Sequence, residues 1–221
     1  MGCVMMISLE HIIKTYNLHI KGVLHIGAHH GQEYHSYLQA GVEDMIFFEP
    51  IKSTFSILSN TLLDSGNRVS CFNIALGNEV GEKEMYVETV NKGQSCSFLE
   101  PGTHLKQYPK ITFDKKEVVK INMLDNIPFN REKYNMINID VQGFELEVFK
   151  GAEKTLPYVD IIYSEVNFEE VYKGCVHVRD LDRFLGTFGF IRILTSNKPK
   201  SWGDALYLKY CKNDFISNSK L

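Results

Sequence analysis

The chain has 221 residues, 44% of them apolar and 23% charged, with 24 Lys and Arg against 27 Asp and Glu. That length and balance suit one α/β domain with a sizeable core, and a net charge of −3 argues against a broad nucleic-acid footprint. The five cysteines (Cys3, Cys71, Cys96, Cys175, Cys211) are scattered without a C-x-x-C pair, so reduced thiols and no zinc site are expected.

Met1 to Leu9 is mildly apolar but lacks a basic leader region and is too short to span a bilayer. The expected setting is the cytoplasm, without a membrane or nucleic-acid partner. Ser8 can cap a helix running to Tyr16, with Leu9, Ile12, Ile13 and Tyr16 on one face, and this helix is expected to cover one edge of the sheet. Gly22 to Ile26 then reads as a buried strand that turns on Gly27 and Gly31 into a helix reaching Ala40-Gly41. This is the first strand-turn-helix of a doubly wound sheet.

The next apolar run, Met45 to Phe48, closes on Glu49, 22 residues after Gly27. An acid at the tip of the second strand is where this architecture grips the hydroxyls of an adenosine ribose. A dinucleotide fingerprint would need glycines where His29 and Gln32 stand, so the pyrophosphate cradle is missing. The G-x-x-x-G turn that remains suits an adenosyl cofactor without phosphates, S-adenosylmethionine; the plainer reading is that the glycines serve turn geometry alone.

Phe55, Leu58, Leu62 and Leu63 mark a helix stopping near Ser65-Gly66-Asn67, and Arg68 to Ile74 is the third strand. Glu82 to Glu88 and Glu117 to Ile121 alternate as strands. Between them, residues 91–110 hold little periodicity and include His104; a loop this long reads as a lid or substrate wall, the alternative being disorder. Tyr134 to Asp140 is the fourth parallel strand, followed by a helix from Glu145 to Leu156. Asp160 to Val166 is the fifth, with Glu165 near its end and Asn167 just beyond. Leu181, Phe184, Leu185 and Phe188 line a further helix. Strands Phe190 to Leu194 and Ala205 to Leu208 flank a polar turn at Lys198-Pro199, and the tail from Asn213 is polar.

Asp140 and Glu165 close neighbouring strands and face one crevice, where Asp140 could orient a reactant or cap the next helix. With Asn167 they could form an oxygen site for Mg²⁺ or Mn²⁺, or serve as a metal-free base. His29 and His30 sit in the cofactor turn. Adjacent side chains there are expected to diverge, with His30 favoured as the one that faces the site as a base. His25, inside the first strand, reads as a core histidine. Glu145 suits the positive end of its helix.

Three segments together resemble the FkbM family of S-adenosylmethionine-dependent methyltransferases. They are His25-Ile26-Gly27-Ala28-His29-His30-Gly31, Phe48-Glu49-Pro50, and the run from Ile139-Asp140-Val141-Gln142-Gly143-Phe144-Glu145 to Lys150-Gly151-Ala152. Asn73-Ile74-Ala75-Leu76-Gly77 is similar to the family segment bordering the adenine. The resemblance implies a Rossmann-like class I methyltransferase fold, a seven-stranded mixed sheet of order 3-2-1-4-5-7-6 with helices on both faces. The whole chain, 1–221, is then one domain, with its N-terminal helix in 1–18 and its core in 22–210. It implies a cofactor site from His25, Gly27, Ala28, His29, Gly31, Glu49, Pro50, Asn73, Ala75 and Asp140. It implies methyl transfer to a hydroxyl on a sugar, glycan or similar small acceptor, with Asp140, Glu165 and His30 as catalytic candidates. Asn138 and Gln142 stand where the family commonly has lysine and glutamate, and both remove charge beside the reaction centre. Two other readings stand beside this one: a methyltransferase-like binding module without activity, and a nicotinamide-dependent oxidoreductase.

Overall fold

In a computed structural model that describes residues 7–66, 68–196 and 201–210, the first half runs α1 (Leu9–Tyr16), β1 (Gly22–Ile26), α2 (Tyr34–Gln39), β2 (Asp44–Phe48), α3 (Lys52–Thr61), β3 (Val69–Phe72), β4 (Ala75–Leu76), β5 (Gly81–Val87) and α4 (His104–Gln107). The second half adds β6 (Lys115–Asn122), β7 (Met136–Ile139), α5 (Glu145–Lys150), β8 (Ile161–Asn167), α6 (Val178–Thr187), β9 (Phe190–Ser196) and β10 (Trp202–Lys209). Every residue of β1, β2, β7 and β8 is buried, as parallel strands covered on both faces require. The main sheet has the order β3-β2-β1-β7-β8-β10-β9. β10 runs antiparallel to both of its neighbours. Numbered by its own strands, this is the expected order 3-2-1-4-5-7-6.

Alternation along the strands builds two cores. Val23, Phe47, Met136 and Tyr163 pack on one face with Ile12, Tyr37 and Leu58 from α1, α2 and α3. Leu24, Phe48, Ile139 and Ile162 pack on the other with Phe149 of α5 and Leu181 of α6. The first helix, capped by Ser8 as expected, therefore lies over a sheet face and not along an edge. Its Ile12 is completely buried. The helix after β2 ends at Thr61, and Leu63 is 73% exposed.

Two further differences have nonlocal causes. The strands at 81–87 and 115–122 pair with each other, and the second also with β4, in a separate three-stranded sheet, which adds Met85 and Ile121 to the α5 side of the core. The helix expected from Glu145 to Leu156 stops at Lys150. A Cβ on Gly151 would stand 1.9 Å from the Gly77 carbonyl oxygen, so the small sheet presses on the chain there. Asp125 then takes up the turn by accepting from Lys154 N–H and Thr155 Oγ.

Residues 91–110 are docked and carry the short α4. Gly102 and His104 amides donate to the Val171 carbonyl, Trp202 Nε1 donates to Tyr108 Oη at 3.0 Å, and Ser201 Oγ donates to Gln107 Oε1 at 2.8 Å. Among the described residues no helix is long and apolar enough to cross a membrane. Cys71, Cys96 and Cys175 are free thiols. Cys3, Cys211, the turn at Lys198-Pro199 and the tail from Asn213 lie outside the described residues.

Candidate active site

The carboxyl ends of β1, β2 and β7 are drawn together at Gly27. Its amide and that of Ala28 both donate to the Phe48 carbonyl, while the Asp140 amide donates to that of Ile26. Gly27 has φ +78°, and a Cβ on it would lie 1.9 Å from the Asp140 carbonyl oxygen, so only glycine fits. Gly31 answers a different need: a Cβ there would press on Leu58 at 2.9 Å, so it seats the turn against α3 and lies away from the cleft.

His29 Nδ1 accepts from the Gln32 amide, which leaves Nε2–H to donate to the Lys92 carbonyl, both at 2.8 Å. The ring thus ties the turn to the loop that crosses it. The His29 and His30 rings do not diverge; they stack with centroids 3.8 Å apart. His29 is the buried member that lines the cavities. His30, on its outer side, is not brought to them, and partial burial followed by the neighbouring His29 lowers its pKa.

Two contiguous cavities meet at Gly27, His29, Gln94, Asp140 and Gln142. The narrower is walled by Phe48, Pro50, Ile74, Ala75, Phe98 and Phe144, with Glu49 at its rim. The Glu49 carboxylate accepts from the His29 amide at 3.0 Å and the Ile51 amide at 2.8 Å. Burial nevertheless pushes its pKa up to about 8. Asn73 lies outside the cleft and braces the strand tip, its Nδ2 donating to the carbonyls of Glu49 and Pro50.

The wider cavity, about 900 Å³, opens over the face that carries α1 and α2. A polar row crosses the sheet beneath it, since His25 of β1, Asn138 of β7 and Tyr163 of β8 stand in register. His25 is both core and lining: it is 4% exposed, and burial drives its pKa down to about 3. At the strand ends, Gln142 Nε2 donates to Asp140 Oδ1 at 2.7 Å and to Glu165 Oε2 at 2.8 Å. Gln142 Oε1 faces the Tyr172 hydroxyl at 2.7 Å. Asp140 and Glu165 do share a crevice, held apart by one amide. Burial, then the nearby Asp140 and Glu145, raise the Glu165 pKa far above the carboxylate range. Glu145 Oε1 accepts from the amides of Val141 and Gly143, so it braces the turn below Asp140.

Asn167 does not join this crevice. Its side chain is fully buried with neither polar atom paired, and the oxygen site imagined for Mg²⁺ or Mn²⁺ is not assembled. Among the described residues no group of three or more His, Cys, Asp or Glu is arranged to hold a metal. The structure also brings to the wider cavity Glu33, Asp204, Tyr108 and Trp202. Sequence reading passed over all four. Asp204, a lone acid inside an apolar strand, was the one visible signal.

No Lys or Arg side chain among the described residues lines either cavity, while five carboxylates do: Glu33, Glu49, Asp140, Glu165 and Asp204. Such a surface suits a hydroxyl-rich or cationic ligand and offers an anionic one no counter-charge among the described residues.

Comparison with known proteins agrees with the fold. Among solved structures, the fold matches a ribosomal protein L11 methylase from Lactobacillus delbrueckii subsp. bulgaricus (TM-score 0.51, 8% identity, 92% of this chain and 77% of that one). It also matches a protein in the NADB-Rossmann superfamily from Streptococcus agalactiae (TM-score 0.51, 13% identity, 96% and 73%). The chain is 26% identical to the 2-O-methyltransferase NoeI of Sinorhizobium fredii, across 76% of this chain and 72% of that protein. The methyltransferase FkbM domain matches residues 25–192, and the chain belongs to that family.

Proposed function

We propose that this family member is an S-adenosylmethionine-dependent O-methyltransferase that moves a methyl group to a hydroxyl of a sugar, a glycan or a similar small acceptor in the cytoplasm. The observation that carries the reading is the pair of joined cavities with carboxylate walls and no cationic side chain among the described residues. The donor set fits the cofactor. Glu49 keeps free lone pairs for ribose hydroxyls, Phe48, Ile74 and Phe144 offer apolar walls to a purine, and Asp140 stands where a sulfonium and an ammonium need an anion. When bound, S-adenosylmethionine supplies a methyl group activated by its positive sulfur. The chain's task is then alignment and exclusion of water.

Within that task, the turn from Gly27 to His29 and the Glu49 carboxylate position the donor. Gln142 fixes the carboxyl groups of Asp140 and Glu165 toward the junction of the cavities. Burial and the neighbouring acids favour the protonated form of Glu165, which makes another carboxylate the better base. The wider cavity receives the acceptor between these acids and the linked rings of Trp202 and Tyr108. Aromatic faces and carboxylates complement the C–H face and the hydroxyls of a sugar. The NoeI relative supports a hydroxyl acceptor.

A nicotinamide dinucleotide fits poorly, because its pyrophosphate would meet carboxyl groups with no Lys or Arg among the described residues to answer it. Incubation with methyl-labelled S-adenosylmethionine and a panel of neutral methyl pyranosides is expected to place label on a sugar oxygen. Cofactor binding with no methylated product would favour the binding-module reading, and tighter binding of the dinucleotide would overturn the cofactor assignment. Glu49→Ala is expected to weaken S-adenosylhomocysteine binding by about 1–3 kcal/mol, the cost of leaving a buried hydrogen-bonding group without its partner. Isothermal titration measures it, and unchanged affinity removes Glu49 from the site.

A further inference from the structure

We propose that Glu33 is the carboxylate that takes the proton from the acceptor hydroxyl; the inference rests on the methyl-transfer reading above. Glu33 closes the turn that begins at Gly27 and stands directly before α2. It is 8% exposed and lines the wider cavity with Asp140, Glu165 and Asp204.

The other carboxylates along the two cavities are engaged by donors. Asp140 and Glu165 share the Gln142 amide, Asp204 accepts from the Tyr163 hydroxyl, and Glu49 accepts from two backbone amides. Among the described residues no other residue donates a hydrogen bond to the Glu33 side chain; its own backbone amide is the donor that faces it. Its nearest charged-type neighbour is His25 Nε2 at 4.0 Å, beyond hydrogen-bond length. A buried carboxylate that faces a cavity, met by its own amide and by no other residue's donor, keeps lone pairs to receive a hydrogen from whatever enters.

The surroundings set its basicity. Asn138 Nδ2 donates to the Tyr37 hydroxyl at 2.6 Å, and that hydroxyl lies 3.2 Å from His25 Nδ1. Tyr37 therefore donates to Nδ1, and the His25 proton sits on Nε2, on the side of Glu33. Because burial keeps His25 neutral, it is no cation to hold Glu33 ionised. Asp140 beyond β7 and Asp204 of β10 face it as like charges. Burial first, and then these two acids, raise its pKa to about 7. A base is most effective when its pKa lies near the working pH.

The step balances without a further reactant. The acceptor O–H proton passes to a Glu33 carboxylate oxygen as the acceptor oxygen bonds to the methyl carbon. The carbon–sulfur bond breaks with its electron pair on sulfur, the sulfonium becomes a neutral thioether, and Glu33 later gives its proton to water.

Glu33→Gln keeps the size of the side chain and removes the acceptor. In the full chain labelled with ¹³C at glutamate carboxyls, without ligand, the wild-type spectrum is expected to contain a carboxyl titrating near neutrality that Glu33→Gln lacks. A midpoint for that carboxyl below about 5, in the ordinary range, would overturn the proposal. With donor and the methyl pyranoside panel, Glu33→Gln is expected to lower kcat about 10²–10⁴-fold. S-adenosylhomocysteine affinity should be unchanged, the acid limb of the kcat–pH profile lost, and Glu33→Asp should recover part of the rate. Wild-type kcat in Glu33→Gln also refutes the assignment. If the wild type methylates no sugar, the acceptor class falls, and the carboxyl titration alone then decides for or against Glu33.

Discussion

Gly27→Ala is expected to lose about 2–5 kcal/mol of folding stability, the sum of left-handed strain and overpacking against backbone, and to abolish cofactor binding in whatever folds. The added methyl would stand 1.9 Å from the Asp140 carbonyl oxygen, a group that cannot swing away because the Asp140 amide is itself bonded to Ile26. Relief requires β1 and β7 to separate at their carboxyl ends, where the Glu49 and Asp140 carboxyl groups are positioned. Gly41→Ala supplies the control. Gly41 has the same φ of +78° but open space around its Cβ, so it should cost only the strain, roughly 1–2 kcal/mol. Urea denaturation of both variants separates the two effects. Equal losses would mean that the close approach at Gly27 is relieved at no cost.

What was legible in the sequence is what local pattern encodes. The apolar runs of β1, β2, β7 and β8 are unbroken because both faces are covered, whereas the strand order, which the structure shows, is implied by the family resemblance. Glu49 and Asp140 could be picked out because each is the first charged residue after such a run. Groups that reach the site through long-range pairing could not. Glu33 looks like any acid before a helix until His25 and Asp204 are seen beside it. Trp202 becomes a cavity wall only when its indole meets Tyr108, 94 residues away. Helical periodicity overran at Gly151 because the obstacle, Gly77, follows a strand of another sheet. His30 was favoured over His29 on the idea that neighbours diverge, yet the left-handed φ of 48° at His29 turns its ring into a stack with the next one.

The exchange of charge at Asn138 and Gln142 leads to the second large effect. Both residues line the wider cavity, and the lysine and glutamate of the resembling family are replaced here by two neutral amides, which leaves the local balance unchanged. Restoring only one charge breaks it. In Gln142→Glu the two donors to Asp140 and Glu165 disappear and a third carboxyl enters between them. At pH 8 the expected loss is about 2–4.5 kcal/mol, one charge-assisted hydrogen bond at about 1.5–3 and one neutral one at about 0.5–1.5.

The sign of its pH dependence follows from where the new carboxyl binds its proton. Burial and two acidic neighbours raise its folded pKa above the unfolded value of roughly 4.3. The folded variant then holds more protons than the unfolded chain, and its stability falls as pH rises from the unfolded pKa through the folded one. Below that window the protonated carboxyl regains one donor, and about half of the loss should be recovered. Urea denaturation of wild type and variant at pH 5 and pH 8 measures the gap. A gap that stays constant, or widens toward acid, would mean that residue 142 does not hold the two carboxyl groups together. Turnover should follow the same course, because the donor that aligns Asp140 with Glu165 is lost whenever the new group is ionised.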